Sequence, residues 1–197
     1  PDAAAARTAL GLARDARVVT IMPGSRMGEL KYLAEPFVRA AGLLAKRDPG
    51  LRFVVPMAGE KQLAYFSEIV AHAGLGDIEL TLADNSHTAI AAADAVLVAS
   101  GTATLEVALF KKPMVIAYKV MRASWEIMRH MGYMPWIGLP NILAREFVVP
   151  ELLQHAVTPE ALADAVWQQL NDAAGRERLA ARFTEMHHGL LRDSAAV

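Results

Sequence analysis

Two hydrophobic periodicities alternate along this chain. Short runs, many of them β-branched, occur at Val18-Val19-Thr20-Ile21-Met22, Phe53-Val54-Val55-Pro56, Ile78-Glu79-Leu80-Thr81, Ala95-Val96-Leu97-Val98 and Met114-Val115-Ile116-Ala117-Tyr118. Between them lie amphipathic stretches, Leu30 to Lys46, Lys61 to His72, His87 to Ala93 and Thr104 to Phe110. Strands that are apolar throughout, each followed by a helix, predict an α/β fold with a parallel sheet covered by helices on both faces. Glu79 interrupts the third run and predicts a strand near an edge. In the first long helix, Leu33, Phe37, Ala40, Ala41 and Leu44 share one stripe, and Pro49-Gly50 marks its stop.

After Tyr118 the pattern loosens. Met121, Trp125 and Met128 fall at helical spacing, with Arg122 and Arg129 off that line and Met131, Met134 and Trp136 beyond. A helix packed on the core or a partner chain is the first reading, and a soft apolar surface near acyl chains the second. The C-terminal part, Pro159 to Leu191, reads as two helices broken near Asp172 to Gly175. The organisation expected is a lead-in helix or linker over 1–17, a Rossmann-like domain over 18–158 and C-terminal helices over 159–197.

Composition narrows the chemistry. The 197 residues are 54% hydrophobic and 21% charged, which favours a packed core over disorder. The formal net charge of -1 offers no whole-protein attraction to nucleic acid, so any anion must be held by a local device. With no cysteine, disulfides and thiolate metal sites are excluded. The longest apolar run is broken by Asp94 and falls short of the ~18–20 residues that span a bilayer. The Ala-rich opening behind Pro1 reads as the cut edge of a longer polypeptide.

The chemistry concentrates where strands stop. Ala95 to Ala99 ends abruptly at Ser100-Gly101-Thr102, and a helical segment with Thr104 and Glu106 follows. Such a turn presents backbone N–H groups, hydroxyls and a helix start to one point, which suits a phosphate. Glu106 is not a capping-box partner, because Ala103 stands three residues before it where a Ser or Thr is needed. A carboxylate there is placed to hold ribose hydroxyls, and the motif is read as a nucleotide site.

Pro23-Gly24-Ser25-Arg26 follows the first strand in the same way. Gly24 lets backbone approach a ligand, Ser25 can cap the next helix, and Arg26 can fork two bonds to a diphosphate. A plain turn with a capping serine and a solvated arginine is the competing account. Leu139-Pro140-Asn141 puts a carboxamide on a constrained loop; it suits sugar hydroxyls or a uracil edge, or else an Asx-turn. Tyr118-Lys119 closes a strand at the same edge. Gly74-Leu75-Gly76 lacks the third glycine of a dinucleotide fingerprint, and the adjacent His187-His188 do not converge on a metal.

Taken in order, Pro23 to Glu29, Asp94 to Glu106, Pro113 to Lys119 and Leu139-Pro140-Asn141 through Val149 to Gln154 resemble the carboxyl-terminal half of the lipid-A-disaccharide synthase family. The resemblance spans about Val18 to Leu191, with Met22 standing where the family usually has Leu. It implies two facing Rossmann-like halves of the GT-B type, this one binding the donor. The implied reaction transfers 2,3-diacylglucosamine from its UDP derivative to 2,3-diacylglucosamine 1-phosphate, with inversion and release of UDP. Neither metal nor cofactor is implied, nor a nucleic-acid partner.

On this resemblance Arg26 and Asn141 are the catalytic candidates and Glu106 sits at the ribose. Gly24, Ser25, Ser100, Gly101, Thr102, Thr104 and Tyr118 complete the candidate substrate-binding set. The general base is expected in an amino-terminal half. Contact with the inner face of the cytoplasmic membrane and a homodimer with exchanged C-terminal segments are further expectations. A UDP-sugar epimerase, another UDP-sugar glycosyltransferase or a non-catalytic nucleotide-binding module are the alternatives.

Overall fold

The computed structural model describes residues 2–57, 59–73, 78–122, 124–126 and 135–195. Gly74-Leu75-Gly76 and the stretch holding Met128, Arg129, Met131 and Met134 lie outside the described residues. In chain order the elements are α1 (Ala3–Ala9), β1 (Val18–Met22), α2 (Met27–Arg47), β2 (Arg52–Pro56), α3 (Glu60–His72), β3 (Leu80–Ala83) and α4 (Ser86–Ala92). There follow β4 (Ala95–Ala99), α5 (Ala103–Leu109), β5 (Met114–Tyr118), α6 (Leu139–Ala144), β6 (Glu151–Leu153), α7 (Pro159–Asn171) and α8 (Ala173–Ala195). The expected parallel α/β sheet is present.

Six strands pair in the order β3-β2-β1-β4-β5-β6, and every pairing is parallel. The chain builds outward from β1 in one direction, then returns to the other side at β4. That reversal opens a crevice between the carboxyl ends of β1 and β4, where open α/β sheets bind ligands.

Alternate residues of β1 explain the two layers. Val19 and Ile21 enter one core with Phe37 and Leu44 of α2 and Leu162 and Val166 of α7. Met22 faces the other way, among Val107 of α5 and Leu179 and Phe183 of α8. Val18 joins Ala89 and Ala92 of α4, with Ala6 and Leu10 of the opening segment against them. The stripe Leu33, Phe37, Ala40, Ala41 and Leu44 is buried as its spacing predicts. Burying one such side chain contributes about 1.5–3 kcal/mol.

Two differences from the sequence expectation stand out, at β3 and β6. β3 covers Leu80–Ala83, two residues later than expected, and lies at the sheet edge as Glu79 suggested. β6 was not anticipated; a three-residue strand carries too little periodicity to read. Residues 1–17 hold the helix α1, where Arg7 donates through Nε to Ala92 O at 3.0 Å and through Nη2 to Asp94 at 3.0 Å, docking α1 on α4. Of the two C-terminal helices, α7 supplies buried core residues, Leu162, Ala163, Val166 and Leu170.

Candidate functional site

A cavity of about 610 Å³ opens at the crevice between β1 and β4, within the size range of small-molecule sites. Gly24, Ser25, Arg26 and Glu29 form the wall after β1. Ser100, Gly101, Thr102, Ala103 and Glu106 form the wall after β4. Pro56 at the end of β2 with Met57 after it, and Asp84 and Asn85 after β3 with Ser86 at the start of α4, close the remaining side.

The first wall rests on an unusual backbone. Gly24 takes φ +114°, where a side chain is strained. The next helix is entered through Arg26 as N-cap, not Ser25: the Arg26 N–H donates to Glu29 Oε2 at 3.4 Å. Ser25 is fixed by its carbonyl, which accepts from Gln62 Nε2 of α3 at 3.0 Å. The Arg26 side chain is 84% exposed, with Nη1 3.8 Å from Glu29 Oε1. Its guanidinium is thus loosely held and can reach an anion in the cavity.

The second wall supplies donors. Ser100 N–H donates to Ala117 O at 2.9 Å, and Thr104 N–H to Gly101 O at 3.1 Å. The N–H groups of Gly101, Thr102 and Ala103 have no acceptor among the described residues, as the first turn of a helix requires. The three residues line the cavity, and a turn with free N–H donors is of the kind that suits an anion. Thr104 does not join them: its buried hydroxyl donates to Gly101 O at 2.7 Å and braces the turn from behind.

Glu106, one turn further, keeps its carboxylate at the cavity. Its Oε2 accepts from Ser86 Oγ at 3.2 Å and lies 3.7 Å from His87 Nε2. Ser86 and its neighbours Asp84 and Asn85 escaped the sequence reading. They run from the exit of β3 to the first residue of α4, a stretch that a strand placed two residues early leaves unmarked. Asn85 caps α4, its Oδ1 accepting from Thr88 N at 2.8 Å.

Asn141 belongs elsewhere. It is fully buried at the first turn of α6, and every carboxamide hydrogen-bonding position has a partner inside the chain. Nδ2 donates to Val149 O at 2.9 Å and Glu151 Oε1 at 2.7 Å. Oδ1 accepts from Val148 N at 2.8 Å and Val149 N at 3.0 Å. This carboxamide shapes the loop between α6 and β6 and has nothing left for a sugar or a uracil, which corrects its reading as a contact residue. Tyr118, half-buried at the end of β5, is likewise outside the cavity wall. The site therefore gathers Gly24, Ser25, Arg26, Ser100, Gly101, Thr102 and Glu106, and leaves out Thr104, Tyr118 and Asn141.

Comparison with known proteins adds an independent line. A family model described as Lipid-A-disaccharide synthetase matches residues 1–194. The lipid-A-disaccharide synthase of Paraburkholderia phymatum is 52% identical over 197 residues, covering 99% of this chain and 50% of that protein. The Bordetella parapertussis synthase is 49% identical over 209 residues, covering 100% of this chain and 53% of the relative. The chain thus spans about half the length of the curated relatives it matches.

Among solved structures, the C-terminal CMP-Kdo binding domain of WaaA from Acinetobacter baumannii aligns with TM-score 0.60 at 15% identity, over 93% of this chain and 95% of that one. WaaG, a glycosyltransferase of lipopolysaccharide biosynthesis, aligns with TM-score 0.58 at 15% identity, over 93% of this chain and 46% of that one. At such identities these likenesses speak to the fold, that of GT-B carboxyl-terminal domains.

Proposed function

The chain belongs to the lipid-A-disaccharide synthase family, and on that premise we propose that it is the donor-binding half of an inverting glycosyltransferase. The donor is UDP-2,3-diacylglucosamine and the acceptor 2,3-diacylglucosamine 1-phosphate. The observation that carries this reading is the cavity at the strand-order reversal, which joins Arg26, Glu106 and the N–H groups of Gly101 to Ala103 that find no acceptor among the described residues.

In the transfer, the acceptor 6-hydroxyl forms a bond to the anomeric carbon as the bond from that carbon to the β-phosphate oxygen breaks. The hydroxyl proton passes to a general base, and UDP departs carrying the negative charge. The N–H groups of the turn and the Arg26 guanidinium face the place where that charge grows, which lowers the barrier. Glu106, aligned by Ser86, accepts from ribose hydroxyls. The base and the acceptor pocket fall to an amino-terminal half, and the whole enzyme works at the inner face of the cytoplasmic membrane, as a homodimer.

Calorimetric titration of this chain with UDP and with ADP tests the reading. UDP binds more tightly than ADP, and both Arg26→Ala and Glu106→Ala weaken it. The chain by itself forms no disaccharide until an amino-terminal half is supplied, and then accepts acylated glucosamine donors rather than plain UDP-sugars. Absence of UDP binding would overturn the assignment; turnover of plain UDP-sugars would favour an epimerase or another glycosyltransferase.

A further inference from the structure

The turn at Ser100 is braced from the far side of β5. Ser100 Oγ donates to Ile137 O at 3.2 Å. Ile137 is held in turn by Glu151, the first residue of β6, whose Oε2 accepts the Ile137 N–H at 2.9 Å. The other oxygen, Oε1, accepts Gly138 N–H at 2.8 Å and Asn141 Nδ2 at 2.7 Å. One carboxylate therefore gathers three donors of a single segment and presses it toward the end of β4.

The close approach is visible at Gly138. A Cβ there would drive into Ile116 Cδ1 of β5 and come within 3.0 Å of Glu151 Oε1. Ile116 is fully buried, and its side chain would have to shift to admit that Cβ. Glycine lets residues 137–138 lie close against the strand without that shift, within reach of both Ser100 and Glu151. Asn141 closes the far end of the same strap through its bonds to Val148, Val149 and Glu151.

We infer that Glu151 is a positioning residue for the turn after β4, holding Ile137 so that its carbonyl orders Ser100 and the N–H groups of Gly101 to Ala103. No atom of Glu151 lines the cavity; it acts through Ile137 and Ser100. Its two oxygens are not equivalent, and that makes the inference specific. A glutamine at 151 keeps one oxygen for Gly138 and Asn141 but turns an NH2 toward the Ile137 N–H. Glu151→Gln thus severs the branch leading to Ser100 and leaves the anchorage of Gly138 and Asn141 in place.

For binding, the inference rests on the reading of the cavity as a UDP site; for order in the turn, it does not. Two measurements on the full chain separate these. Amide relaxation and exchange in Glu151→Gln show Ile137 exchanging roughly tenfold faster, with order parameters falling at Gly101 to Ala103. Ser100→Ala, which cuts the strap at its other end, loosens the same turn even where Glu151→Gln does not fold.

In UDP titrations each single variant weakens binding roughly fivefold to tenfold, the weight of one hydrogen bond. Because both cut one strap, the double variant is no more than about twofold weaker than the worse single. Losses that multiply, or a turn unmoved in both variants, overturn the inference. A wild-type chain blind to UDP would overturn the proposed function instead, and the relaxation data would still decide the strap.

Discussion

Gly24 and Glu29 compete for one volume: a Cβ on Gly24 would lie 2.5 Å from Glu29 Oε2 and 2.6 Å from Glu29 Cβ. Glu29 is in that volume because its carboxylate returns to the Arg26 N–H. The backbone at +114° and the returning carboxylate each demand a residue without a side chain. Gly24→Ala is expected to cost about 1–3 kcal/mol from backbone strain alone, more if Glu29 is displaced. The urea midpoint reads this directly. Gly101 is the contrast, since a Cβ there meets nothing within 4 Å. Gly101→Ala should keep the wild-type midpoint while its methyl, projecting at the cavity edge, weakens UDP.

Arg26 predicts the opposite split. Its exposed side chain makes one long contact with Glu29, so Arg26→Ala should shift stability by no more than about 0.5 kcal/mol. If the guanidinium meets the diphosphate, the same change costs about 1.5–3 kcal/mol of UDP binding. Lys at this position should recover only part of it, because an ammonium cannot present two parallel N–H donors. Calorimetry at two salt concentrations checks both statements; equal UDP affinity for wild type and Arg26→Ala would remove Arg26 from the site.

Much of this arrangement is legible in the residues alone, for definite reasons. β1, β2, β4 and β5 announce themselves because both their faces are buried, and Arg26 and Glu106 are findable because each follows such a strand closely. Asp84 to Ser86 stay hidden because β3 is an edge strand whose Leu82 is 50% exposed, so its end cannot be told from its apolar pattern. Asn141 misleads for a different reason. A buried carboxamide with four internal partners and a ligand-binding one are the same letter in a sequence, and only its partners separate them. Glu151 lies within a recognisable motif, but its role does not show there, because its three donors come from the entry and first turn of α6, 10 to 14 residues earlier.

Asn141 follows from those partners. Asn141→Ala orphans two N–H donors and a carbonyl, two of these groups on buried Val149, and is expected to cost roughly 3 kcal/mol or more. Asn141→Asp should be worse than its size suggests, since it sets an oxygen where Nδ2 now faces the Glu151 carboxylate. Thermal and urea unfolding give the ranking: wild type, then Ala and Asp well below. A residue contacting only the ligand would lower UDP affinity with the midpoint unmoved.

Lys112 links stability to pH at the opposite end of the sheet. Its ammonium donates to Ala93 O at 2.7 Å, and burial pushes its pKa below the ordinary 10.5. Asp94 opposes that shift and Arg7 adds to it, but burial is the larger effect. The unfolded chain therefore holds this proton to higher pH than the folded one does. Between the depressed native value and 10.5, the unfolded state binds more protons, so this group's contribution to stability rises with pH. Below the native value both states are charged and the burial penalty stands in full. Lys112→Met abolishes the titration. The urea midpoint of wild type relative to Lys112→Met should therefore climb as pH is raised toward 10.5 and level off above it. A difference that falls over that window would mean that the attraction of Asp94 outweighs burial and that the ammonium is favoured where it lies.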